Sequence, residues 1–121
     1  MEEEKTLVLS EVREANIEKA KAANPGASLS IIETVGDSGE TFSGIFRRPD
    51  VLSLQKYLSE VSTDKDSGIR ASASLVSTCI VFPIKEDFFS IQKEYPLISI
   101  GLANELFKGF GSIRNSKKKS I

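Results

Sequence analysis

The sequence predicts an α+β domain: an N-terminal helix, a β-hairpin, and then a compact bundle of four helices. Three observations predict it. Two β-type runs, Leu29–Val35 and Thr41–Arg47, flank the turn-forming loop Gly36-Asp37-Ser38-Gly39. After Pro49 the apolar spacing changes to that of helices, and Pro83 and Pro96 divide the rest of the chain. The chain has 121 residues and a 40% apolar share, enough for one domain with its own core and no disulfide or metal staple. The domain is expected to cover residues 1–111, with 112–121 as a basic, flexible tail.

The elements come in order. Ser10 can cap a helix, because its hydroxyl accepts an orphan backbone N–H. The stretch from Glu11 to Ala23 is rich in good helix formers, and its apolar residues are mostly alanine, so it should lie loosely on the surface. Asn24-Pro25-Gly26 stops it. In the first β run, Leu29, Ile31 and Val35 share a face by period two. A two-stranded hairpin is marginal alone, so it must pack on something else. Pro49 suits a first helical position, where no N–H is needed. Leu54, Leu58 and Val61, with Val51 before them and Tyr57 at the border, form the stripe of the next helix. Ser62 to Asp66 should loop out. A helix over about 66–81 carries Ile69, Ala73, Val76 and Ile80 on one face, and Leu75, Cys79 and Phe82 make a second. Its other positions are small, which suits the middle of a bundle. Pro83 should end it. A short helix over 85–94 comes next, with Phe88, Ile91 and Tyr95 on one stripe. Pro96 opens the last helix, which carries Leu97, Ile98, Leu102, Leu106 and Phe107, and Gly109 and Gly111 stop it.

The composition excludes several functions. There is no histidine and one cysteine, so neither a Ser-His-Asp nor a Cys-His mechanism can be built, and zinc lacks its usual ligands. We therefore expect no enzyme activity, metal or cofactor. Net charge is −1 and the pI about 5.6, which counts against nucleic acid as a partner. No run approaches the ~20 apolar residues of a membrane span, so no membrane partner is expected. Glu2, Glu3 and Glu4 are the opposite of a basic secretory start, which points to an intracellular protein.

The remaining features each have a plain reading. The Gly36–Gly39 loop lies between two strands, with no Gly-Lys-Ser/Thr after it, so a hairpin turn fits better than a phosphate cradle. Arg47 and Arg48 could contact an anion, but a junction of this kind commonly uses one arginine structurally and leaves the other in solvent. Cys79, between Thr78 and Ile80, lacks the basic surroundings of a reactive thiolate. Glu86 and Asp87 complement a helix dipole, and adjacent residues point apart. Lys117, Lys118 and Lys119 read as a solvated tail. The aromatic C-terminal third is different. Phe88 and Phe89 cannot both face inward, and Phe110 lies beyond the apolar stripe. Spare aromatics on a surface mark protein binding.

The segments Phe46-Arg47-Arg48-Pro49-Asp50, Ser77-Thr78-Cys79-Ile80-Val81-Phe82-Pro83, Glu94-Tyr95-Pro96 and Gly101-Leu102-Ala103-Asn104-Glu105-Leu106 occur in that order. Together, over roughly residues 24–111, they resemble the small tail assembly chaperones of long-tailed bacteriophages. The resemblance implies a non-enzymatic protein of the infected bacterial cytoplasm that is absent from the mature virion. Its partner would be the phage tape measure protein, a long helical chain kept soluble until tail tube subunits polymerise around it. Recognition would be of the helix-in-groove kind. The groove would be lined by Phe89, Tyr95, Leu102, Leu106, Phe107 and Phe110. The family often makes a longer product by frameshifting, so the lysine run would record an A-rich slippery site, and that longer form is a further candidate partner. A homo-oligomer is compatible with all of this. The competing reading is a small regulatory protein that binds nucleic acid through Arg47, Arg48 and the lysine tail.

Overall fold

A computed structural model describes residues 7–36, 38–63 and 68–108, and the backbone of 118–120. The chain order is β1 (Val8–Ser10), α1 (Glu14–Ala23), β2 (Leu29–Val35), β3 (Thr41–Arg47), α2 (Val51–Thr63), α3 (Ile69–Cys79), β4 (Ile80–Phe82), α4 (Lys85–Glu94), α5 (Ile98–Lys108) and β5 (Lys118–Ser120). The fold is α+β, as the patterning predicts, but the sheet is larger than a hairpin.

β2 and β3 pair antiparallel along their full length, from Leu29 opposite Arg47 to Val35 opposite Thr41. β5 extends the sheet beyond β2, antiparallel to it. The other edge of β3 is shared. β1 runs parallel beside Thr41 and Phe42, and β4 runs antiparallel beside Ile45 and Phe46. Gly44 lies between the two stretches. It is buried, and a Cβ there would sit 2.8 Å from the Phe82 carbonyl oxygen.

The sheet is covered on both faces. Leu29, Ile31 and Ile45 meet Ala20, with Val12, Ile17, Val81 and Phe82 around them. Ala20 is the one buried residue of α1, so that helix does lie lightly on the sheet. On the opposite face Ile32, Phe42 and Phe46 pack with Leu75, Val76 and Cys79 of α3, Phe88 of α4, and Leu102, Ala103 and Leu106 of α5. This overturns the expected separate bundle. The apolar stripes of α3, α4 and α5 close on strand side chains, and α2 packs on α3. α3 is nonetheless the central helix, with Ala71 and Ser72 buried against its neighbours.

Several boundaries differ from the sequence reading. Ser10 ends β1 and does not cap a helix. α1 starts at Glu14, where the Arg13 backbone N–H donates to Asn16 Oδ1 at 2.8 Å. Ile80–Phe82 leave the third helix early, because their apolar run pairs equally well as a strand, and β3 offers an open edge. Pro83, which follows a cis Phe82–Pro83 bond, therefore comes after a strand, not a helix. Pro49 lies just outside α2. The cap is Asp50, whose Oδ1 accepts the Ser53 N–H at 2.7 Å. The expected flexible tail includes Lys118–Ser120, whose backbone forms β5; an edge strand needs only backbone groups, and lysine is common on edges. Gly109, Gly111 and Lys117 lie outside the described residues.

The Asp50 cap gives a pH prediction. The Ser53 hydrogen bonds hold the carboxyl below its ordinary value of 3.8. A depressed folded-state pKa contributes stability above the unfolded value and loses it as pH falls through the folded one. Asp50→Ala should therefore unfold at a lower temperature than the parent chain at pH 7, and the gap should close as pH drops below 3.8. Paired thermal melts at pH 7 and pH 2.5 check this; a gap unchanged between them would show that the carboxylate is not the cap.

Candidate binding cleft

The strongest candidate site lies where the hairpin end meets the turn between α4 and α5. The turn is set by its hydrogen bonds. The Tyr95 N–H donates to the Ile91 carbonyl at 2.8 Å and closes α4, and the Ile98 N–H donates to the Tyr95 carbonyl at 3.1 Å and opens α5. Gln92 Nε2 donates to the buried Ser99 Oγ at 2.8 Å, which ties the two helices across the turn. Tyr95, Pro96 and Leu97 are thereby held at the surface.

Facing them is the tip of the hairpin. The Gly36 N–H donates to the Glu40 carbonyl at 2.8 Å, and the Gly39 N–H to the Gly36 carbonyl at 3.0 Å. The loop is a hairpin turn as expected, with Asp37 outside the described residues. Glu40 Oε1 accepts the Ser38 N–H at 3.0 Å, and its carboxyl lies against Gly36, where a Cβ would collide with it.

Between these parts is a cleft of ≈ 380 Å³, lined by Thr34, Val35, Gly36, Glu40, Glu94, Tyr95, Pro96, Leu97 and Ile98. Val35 is 70% exposed and Leu97 65%, an unusual cost for large aliphatic side chains so close together. Glu40 and Glu94 add carboxylates to this apolar lining. The arrangement suits an apolar side chain flanked by lysine or arginine. Among its described lining residues no nucleophile is paired with a base. Among the described residues no group of three or more His, Cys, Asp or Glu could hold a metal ion.

The structure separates the residues expected to line a partner groove. Tyr95 lines this cleft. Phe89 on α4 and Phe107 on α5 are exposed, with Phe107 beside Tyr57 at a ring separation of 6.2 Å. Leu102 and Leu106 are a correction: they are buried among the sheet and α3, so neither reaches a surface. They share the core-facing stripe of α5, whereas Phe107 is turned about 100° from Leu106. Phe110 lies outside the described residues. Sequence reasoning missed Val35 as a surface residue, because period two placed it with the buried Leu29. It also put Leu97 on the last helix's apolar stripe.

The other candidates resolve simply. Arg47 Nη2 donates to the Thr78 carbonyl at 3.0 Å, a cationic cap on the end of α3. Cys79 is buried, and burial pushes its thiol up to about 11, against a smaller opposing effect of Arg47. Glu86 and Asp87 are exposed in the first turn of α4, where they complement its dipole. No helix among the described residues is long and apolar enough to cross a membrane.

Residues 28–119 match the model of a domain family described as a domain of unknown function, DUF6848. The solved structure of the uncharacterised protein RBSTP2171 from Bacillus stearothermophilus is similar to this chain, with a TM-score of 0.67 and 21% identity, covering 82% of this chain and 95% of that one. At that identity the likeness establishes the fold alone. No curated protein matches the chain.

Proposed function

The chain belongs to the DUF6848 family, and we propose that it is a non-enzymatic tail assembly chaperone of a long-tailed bacteriophage. It holds segments of the tape measure protein in the cytoplasm of the infected cell and is left out of the finished virion. The ordered segments from Phe46 to Leu106 supply the resemblance. The observation that carries the reading is the pair of exposed aliphatic side chains, Val35 and Leu97, on a cleft that also holds Tyr95 and two carboxylates. An amphipathic helix with a basic border is the complementary client, and its apolar residues would remove Val35 and Leu97 from water.

The test is co-expression of the chain with the tape measure protein encoded in the same genome. We expect a soluble complex that survives about 0.5 M salt, since apolar contacts are not screened. Leu97→Asp and Val35→Asp should each weaken it at least tenfold without changing the helical signal. A tape measure protein that stays soluble without this chain, or a complex indifferent to both substitutions, would sink the proposal.

A further inference from the structure

A second cleft, of ≈ 260 Å³, lies against β1 and β2 and shares Thr34 and Val35 with the cleft beside Leu97. The placement of α1 leaves it open. Ala20 covers the sheet at Leu29 and Ile45. At the hairpin end the same face carries a row across three strands, with Val8 opposite Thr41 and Thr41 opposite Val35. Val8 in that row is 52% exposed, and Val35 more so. Val35 is thus a ridge between two clefts, with Val8 on one side of it and Leu97 on the other.

The charge on this surface is one-sided. The described lining residues of the two clefts include four glutamates, Glu11, Glu33, Glu40 and Glu94, and no lysine or arginine. The whole chain is balanced, with 16 Lys and Arg against 17 Asp and Glu, so the bias is local. Glu11 is paired with Arg13 at 3.3 Å. Glu33, Glu40 and Glu94 have no ion-pair partner among the described residues. Two of them stand against local preference. Glu94 is the last residue of α4, where the helix dipole favours a cation. Glu33 is exposed in the middle of β2, and glutamate is depleted in strands.

We propose that the two clefts form one docking surface for a lysine- or arginine-rich amphipathic helix of a partner chain. Val8, Val35 and Leu97 are its apolar ridge, and Glu33, Glu40 and Glu94 select the partner by charge. The inference rests on the first cleft being a binding site and extends that site to β1. It does not depend on the identity of the client. Complementary charge speeds encounter and suppresses wrong partners more than it adds affinity. An acidic amphipathic helix, which the apolar ridge alone would also hold, is thereby turned away.

The test uses the full chain and three synthetic amphipathic helices that share one Leu/Ile stripe and are bordered by Lys, Gln or Glu. At about 50 mM salt the Lys peptide should bind about tenfold tighter than the Glu peptide, and the gap should narrow at about 0.5 M as the charges are screened. Glu33→Lys and Glu94→Lys should each weaken the Lys peptide about fivefold with the circular dichroism spectrum unchanged. Glu94→Lys should also melt no lower than the parent chain, because a cation suits that helix end. Val8→Ser removes apolar area but no charge, so it should weaken all three peptides alike. Equal affinity for the three peptides would overturn the proposal. So would a tape measure complex that Leu97→Asp disrupts and Glu33→Lys leaves intact, which would spare the first cleft alone. Tighter peptide binding after Lys117, Lys118 and Lys119 are changed to Ser would assign the surface to the chain's own tail. Self-association lost in Glu33→Lys would assign it to a second copy, and either result overturns the proposal. Peptide results as expected without a tape measure complex would support it and remove only the identity of the client.

Discussion

Phe88→Ala should lower the unfolding free energy by about 3–5 kcal/mol, the usual cost of emptying an aromatic site in a core. Phe88 is fully buried, with its ring 5.8 Å from that of Phe42 and tilted 56° to it. Such tilted pairs add to the area term. The loss is also unevenly placed. Phe88 is the one buried residue of α4. Without it the helix is held only by the partly buried Ile91 and the Gln92–Ser99 hydrogen bond, and the turn carrying Tyr95 and Leu97 loses most of its support. Urea unfolding should show the reduced stability. Hydrogen exchange should show residues 85–94 losing protection before α3. A loss below about 1 kcal/mol would mean that the ring is not a core anchor.

Gly44→Val should cost about 3 kcal/mol, near the upper end for overpacking. The new Cβ would meet the Phe82 carbonyl oxygen at 2.8 Å and ring atoms of Phe42 and Phe46 at 3.0 Å. A backbone oxygen cannot turn aside as a side chain can, so β4 would have to leave β3. Gly101→Ala is the matched control, since its Cβ meets Thr34 Oγ1 at an ordinary 3.6 Å. Inside a helix that change should stabilise by up to about 1 kcal/mol. Thermal melts of the two variants should therefore move in opposite directions. Equal shifts of the same sign would refute the close approach at Gly44.

The hairpin and all five helices are legible in the sequence, because their patterns are long enough to have a period. The short strands are not. Val8–Ser10 is too brief for alternation, and it pairs in parallel with a strand far along the chain. Ile80–Phe82 continues the apolar face of a helix as plausibly as it forms a strand. Lys118–Ser120 has no strand composition, and its pairing rests on backbone groups that every residue carries. The site is half legible. Phe89 can be recognised as a surface aromatic because it adjoins the buried Phe88, but Leu102, Leu106 and Phe107 read as one stripe, and only the packing against Ile32 and Phe42 shows which side faces in. Leu58 and Val61 mislead for the opposite reason: a heptad-like stripe looks alike whether it faces a core or water.

The sheet also sets an order in which the chain can assemble. β2 meets β3 across a five-residue connection, a local closure that can form early. β5 reaches β2 only roughly ninety positions later, a loop about four doublings longer, at about 2.5 kcal/mol more in closure entropy. Three residues of edge pairing return little against that cost. The closing strand should therefore be the last to join and the first to leave, opening and shutting many times on a sheet that is otherwise complete.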